Sequence, residues 1–435
     1  MTDAMAQTAG SVGRLYPPEL ETYDDPVTGV PVRVLTTHPA GSSKPYQTHQ
    51  TWTRDGEWIL FRSNRSAELG GGAQAYLVHE QRGDILQLTA GPGTEVGSLN
   101  LSPTEDTLYY MRRTDAGRHL IGLDLGTLIP DATAGRVGDP GSYERLITTL
   151  PEELRDAGGF AIDADGSAAY WGVGFGPVPQ RQATGANGGR RQIDQSNLDP
   201  TEEREAARQR FALQGRGPGG IRRIDLTTGA IDTVVDVDFR MGHVQTNPWL
   251  PGEIVYCHET TGDAPQRIWT VRGDGSQNRP LYVETPDEWV THETFSGPDE
   301  VMFLVMAHLP YLGTKPSGVS VVNLRTDEMR VLGQGPGQGF WHCNGSPDGR
   351  WAVADDFNGD VTLIDRRSGE MTVLTTGHVM KPDHTHPIFS PDSQRVLVQS
   401  GRPSDGEKLD LMVIDVPTDL QDRRPAIPQP TRSAG

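Results

Sequence analysis

Residues 342–374 contain His342-Cys343-Asn344-Gly345-Ser346-Pro347-Asp348-Gly349-Arg350-Trp351-Ala352-Val353, then Val361-Thr362-Leu363-Ile364-Asp365, then Ser368-Gly369 and Met371-Thr372-Val373-Leu374. β-branched and aromatic runs between Gly, Asp, Ser and Pro turns predict short strands. The stretch is one copy of a repeat. Its turn recurs at Thr53-Arg54-Asp55-Gly56, Ser102-Pro103, Asp163-Ala164-Asp165-Gly166, Asn247-Pro248, Ser296-Gly297-Pro298-Asp299 and Ser390-Pro391-Asp392. Each turn is followed by an apolar strand, such as Trp58–Phe61, Ile254–Tyr256 or Val396–Val398. With an innermost strand ahead of each turn, every copy holds four strands. Four strands at a spacing of roughly 40–50 residues predict an all-β, seven-bladed β-propeller.

The two ends of the chain predict closure of the ring. The last copy stops after Leu411-Met412-Val413-Ile414-Asp415 and lacks a final strand, while residues 28–36 read like the third strand of another copy. That N-terminal strand is expected to complete the last blade, leaving no open sheet edge. The division expected is an N-terminal extension over 1–27, a propeller over 28–418 and a disordered tail over 419–435, rich in Pro, Arg and Ser. The long insertion 175–219 falls between the second and third strands of the third blade. It carries a helix signal with Asp199 as N-cap and Pro200 at the first helical position, and it is expected to overhang the working face as a lid.

Four residues before each turn stand His49, His243, His292, His342 and His386, with Ser98 and Gly159 in the two remaining copies. Equivalent positions in a ring converge on its axis, so five imidazoles at one register point to a metal or catalytic centre. Lys381-Pro382-Asp383-His384-Thr385-His386 adds a His-x-His pair, which on a strand places both rings on one side. His292, His384 and His386 are the expected metal ligands, leaving open positions for a substrate oxygen.

The formal net charge of −19 argues against nucleic acid as a partner. No apolar stretch reaches the length of a membrane span, and the N-terminus lacks a signal-peptide apolar core. Cys257 and Cys343 are expected as buried, reduced thiols. These features predict a cytoplasmic protein. An acidic chain acting on a polyanion must supply positive charge locally, through a metal or arginines.

Gly242-His243 with Pro248, Tyr256-Cys257-His258-Glu259, Arg267-Ile268-Trp269, Asp274-Gly275-Ser276, Thr291-His292-Glu293 and His384-Thr385-His386-Pro387 with Phe389-Ser390-Pro391 form an ordered series. It resembles the oligogalacturonate lyases, seven-bladed propeller polysaccharide lyases, from about residue 30 to 417. The resemblance implies β-elimination at a 4-linked uronic acid, giving a 4,5-unsaturated uronate. It also implies a divalent cation, manganese above all, on the substrate carboxylate.

By the same match the base is His243, and the metal ligands are His292, His384 and His386. An arginine contacting substrate is implied at Arg216 or Arg222. His49, His342, Lys381 and Arg267 are expected on the substrate side. Lys381 stands where the family has a glutamine ligand. Three openings follow: fewer protein ligands, Asp383 stepping in, or Lys381 meeting the substrate carboxylate. The substrate could therefore be another uronate, such as a glucuronate-containing oligosaccharide. Trp52, Trp289 and Trp341 are candidate sugar-stacking rings, with a core role as the plainer reading. The competing class is a non-catalytic propeller that binds a partner on its face, but such a face needs no ring of inward imidazoles.

Overall fold

The computed structural model describes residues 11–66, 72–175, 218–259, 266–284, 288–306, 317–335, 337 and 339–422. Seven antiparallel sheets follow one another along the chain, each a blade of four or five strands. Blade four is typical: Met241–Thr246 lies innermost, then Glu253–His258, Ile268–Arg272 and Arg279–Pro280. The seven-bladed propeller predicted from the repeat is the fold observed.

Side-chain chemistry explains the recurring turn. Ser346 Oγ donates to Asp348 Oδ1 at 2.6 Å and accepts from Trp351 N at 2.8 Å, while Asp348 Oδ1 accepts from Arg350 N at 3.0 Å. The same bonds join Thr53, Asp55 and Trp58, and Ser390, Asp392 and Arg395. The Ser/Thr-x-Asp spacing is thus a hydrogen-bonded clip between first and second strands.

The ring closes as the spare strand predicts. Pro31–Val34 pairs with Asp410–Asp415 in the register Val32↔Ile414, Arg33↔Val413 and Val34↔Met412. Glu21–Asp24 adds a further strand outside it, and Leu15–Tyr16 pairs with Ile85–Gln87 at the outer edge of blade one. The carboxylate of Asp25 fastens this segment. It accepts from Thr376 N at 2.9 Å, from Arg402 Nη1 at 2.9 Å and from its own turn at Val27 and Thr28.

Apolar cores lie between neighbouring blades. Phe61, Tyr76 and Val78 of blade one pack against Leu397, Leu411 and Val413 of blade seven, all buried. Each such side chain contributes about 1.5–3 kcal/mol. The two thiols are free and buried, as expected. Among the described residues no helix is long and apolar enough to cross a membrane.

The inner strands are not regular. Pairing slips around the repeat position in blades three, four and five. At that position Gly159, His243, His292 and His386 have φ of 97°, 53°, 57° and 45°. Left-handed backbone is costly for most residues but tolerated more often by histidine. A bulge of this kind re-aims a side chain. It also breaks strand parity, so that His292 and Glu293, consecutive in sequence, both reach the cluster, the one beside His342 and the other beside His243.

Candidate metal centre and base

His342 is the hub of the cluster. Its ring centroid lies 3.8 Å from that of His386, 4.1 Å from His292 and 5.2 Å from His384. Imidazoles from blades five, six and seven are therefore neighbours. Burial, with the neighbouring His342 and Arg267, lowers the His292 pKa well below its ordinary value. Burial takes His342 down to about 4. Both rings are thus neutral near pH 7, the form that ligates a cation.

Asp355 organises this hub. Its carboxylate accepts from His342 N at 2.7 Å, from His342 Nδ1 at 3.2 Å, from Thr385 Oγ1 at 2.7 Å and from His386 N at 3.2 Å. His342, Asp355 and His384 hold ligand atoms within 4.8 Å of one another. With four donors already on it, Asp355 serves as the brace that fixes the His342 tautomer, and the imidazoles are left to face a cation.

His243, from blade four, is joined to the cluster through Tyr46, whose ring is 5.4 Å from His243 and 5.2 Å from His386. Two carboxylates flank His243. Glu293 Oε1 lies 3.3 Å from Nδ1, and Glu259 Oε2 lies 3.4 Å from Nε2. Glu293 is completely buried. Burial pushes its pKa up, but Arg267 and His243 more than offset this and hold it at about 2. Arg267 Nε stands 3.6 Å from Glu293 and Nη1 3.8 Å from Glu259.

The remaining expected residues fall elsewhere. His49 spends both nitrogens on structure, with Nε2 on Phe160 O at 3.0 Å and Nδ1 on Thr48 Oγ1 at 2.9 Å. Arg222 is bonded to Asp236 Oδ1 at 2.7 Å and lies over the Phe175 ring, so it is not brought to the imidazoles. Lys381 is exposed. Asp383, two residues on, meets His386 Nε2 at 3.2 Å. Arg267 is buried beside Glu293 and Glu259, the carboxylates that flank His243, instead of standing open to substrate. Trp52 is a core residue bonded to Glu80, whereas Trp341 flanks His292 and His384 at 4.5 and 5.6 Å. Arg216, the helix expected from Asp199, almost all of the insertion and the Trp289 side chain lie outside the described residues.

Four residues that the sequence did not single out belong to the site: Glu293, Tyr46, Asp355 and Lys44. Lys44 is buried, and burial together with Arg62 lowers its pKa to about 7, against the pull of Asp355 and Asp383. Asp355 had a findable signal, since it stands directly across from His342 on the next strand.

No protein-family model matches the chain. It is 24% identical over 425 residues to an oligogalacturonide lyase of Pectobacterium atrosepticum, covering 90% of this chain and 96% of that one. It is 25% identical to an oligogalacturonate lyase of Dickeya dadantii, over 88% of this chain and 94% of that one. Among solved structures, an oligogalacturonate lyase in complex with manganese superposes with a TM-score of 0.73 at 22% identity, over 94% of this chain and all of that one. An oligogalacturonate lyase of Vibrio parahaemolyticus gives 0.72 at 20% identity with the same coverage. The chain is a seven-bladed propeller related to the oligogalacturonate lyases over about nine-tenths of its length.

Proposed function

We propose that the chain is a metal-dependent lyase that cleaves 4-linked uronic acid oligosaccharides by β-elimination. The observation that carries this reading is His243 held between two carboxylates beside a cluster of buried imidazoles. The likeness to curated oligogalacturonate lyases supports a galacturonate-type substrate.

The residues fit a divalent cation. The Nδ1 atoms of His292 and His386 are buried with no hydrogen-bond partner, an expensive arrangement unless a ligand uses them. His292, His384 and His386 would hold the ion, and His342 at their centre would add a fourth nitrogen. When bound, a cation such as manganese neutralises the substrate's C6 carboxylate and makes the C5 proton more acidic.

The chain's own residues supply the proton transfer. With the His243 ring proton on Nδ1, facing Glu293, the Nε2 lone pair beside Glu259 takes the C5 proton. The C5–H electrons form the C4=C5 double bond, the C4–O bond breaks, and the departing oxygen takes a proton from solvent. Glu293, kept ionised by Arg267, stabilises the imidazolium that forms. A positioned base of this kind contributes about 10²–10⁴-fold.

The test is to treat the protein with a chelator, then add trigalacturonate with and without Mn2+ and follow the near-ultraviolet absorbance of the unsaturated product. Product should form only with the ion and be abolished by His243→Ala. Glucuronate oligomers assayed in parallel identify the uronate. Absence of unsaturated product from every uronate by the metal-loaded protein refutes the reading.

A further inference from the structure

We propose that His243, Cys257 and Glu293 form a second metal site, one that takes a thiophilic divalent cation of the Zn2+ class. Their ligand atoms lie within 4.8 Å of one another. Three elements bring them together. His243 sits on the bulge of the inner strand of blade four, and Cys257 lies on the next strand, paired beside Gly242. Glu293 arrives from the bulge of blade five.

Nitrogen, sulfur and carboxylate oxygen make a three-ligand zinc set with an open fourth position. Glu259 stands beside the three, its Oε2 3.4 Å from Cys257 Sγ and 3.4 Å from His243 Nε2. Both Glu293 oxygens and His243 Nδ1 are buried without a well-formed hydrogen bond, Oε1 and Nδ1 only facing each other at 3.3 Å. Arg267 stays 3.6 and 3.8 Å from the two carboxylates, too far to saturate them. β-Elimination has no use for a thiol, yet this one is completely buried against the base.

Donor chemistry separates the two sites. The hub around His342 offers imidazoles, whereas this site offers sulfur, which selects softer ions. Binding would release the Cys257 proton to solvent and leave a zinc–thiolate bond. It would also occupy His243, so zinc should switch off a reaction that manganese supports. Only that last consequence rests on the function proposed above.

The experiment is a Co2+ titration of the chelator-treated full chain, read by the near-ultraviolet thiolate-to-cobalt charge-transfer band. The band should appear in the wild type and be lost in Cys257→Ser. It should weaken in His243→Ala and persist in Cys343→Ser, which removes the other buried thiol. In the manganese-loaded protein, Cys257→Ser should raise the half-inhibitory zinc concentration about 10–100-fold or more, since losing a direct ligand costs at least as much as losing an outer-shell partner. No band at saturating cobalt, a band that survives Cys257→Ser, or zinc inhibition unchanged by that substitution would overturn the proposal. The cobalt band needs no substrate, so it decides the site even if no uronate is cleaved.

Discussion

Replacing Asp355 by asparagine should weaken metal binding and stability together, by amounts the hydrogen bonds set. The carboxylate is buried and accepts four bonds that tie His342 of blade six to Thr385 and His386 of blade seven. Asparagine keeps one acceptor oxygen, so about two of the four are lost. At about 1.5–3 kcal/mol for each bond to a charged group, the stability loss is about 3–6 kcal/mol. On the metal side, the His342 tautomer is no longer fixed. Loss of such a brace weakens metal affinity about 10–100-fold, which is about 1.4–2.7 kcal/mol. Calorimetric titration of the chelator-treated protein with Mn2+ reads the second number, and urea unfolding reads the first. A folded Asp355→Asn protein that binds Mn2+ as tightly as wild type would show that the carboxylate does not act through the imidazoles.

Three further outcomes follow from the same geometry. His292→Ala should abolish stoichiometric Mn2+ binding by metal analysis while leaving circular dichroism unchanged, because the blade-five core does not depend on that ring. Asp25 has its pKa held far below the ordinary value, since bonds from Thr376, Thr28, Val27 and Arg402 outweigh burial. Its contribution to stability is present above about pH 4 and is lost as pH falls through the folded value. Asp25→Asn should therefore lower the urea midpoint at neutral pH and flatten the acid limb of stability against pH. Glu284 is shifted oppositely, raised by burial from 4.5 to about 8. Its contribution is complete below the unfolded value and is lost as pH rises through 8, so Glu284→Gln should remove part of the decline in stability between those limits. An unchanged slope in that window would show that Glu284 is ionised in the native state.

The fold was legible because it is written in local chemistry. A polar turn recurs with each blade, closed by the Ser/Thr-x-Asp clip in three of them, and residues 28–36 match the strand that the last copy lacks. The site was legible only in part. Register placed His243, His292, His342 and His386 at equivalent backbone positions, and the structure brings their rings together. Register does not give side-chain direction, and His49 follows its hydrogen bonds to Phe160 and Thr48. Glu293 was missed for a related reason. Strand parity would turn it away from the face that His292 occupies, and the bulge that cancels parity has no sequence signature of its own. Lys44 and Tyr46 follow Ser42–Ser43, the short inner strand of blade one, and fall outside the repeat positions, so no spacing pointed to them.

The pairing of Pro31–Val34 with Asp410–Asp415 carries a consequence for biogenesis. Pro31–Val34 finds its partner only after the intervening blades have been made, so the unfinished propeller must wait with an unmatched flank. A nonsense product ending before residue 410 would never complete the circle and should be cleared as unfolded, however many intact blades it carries.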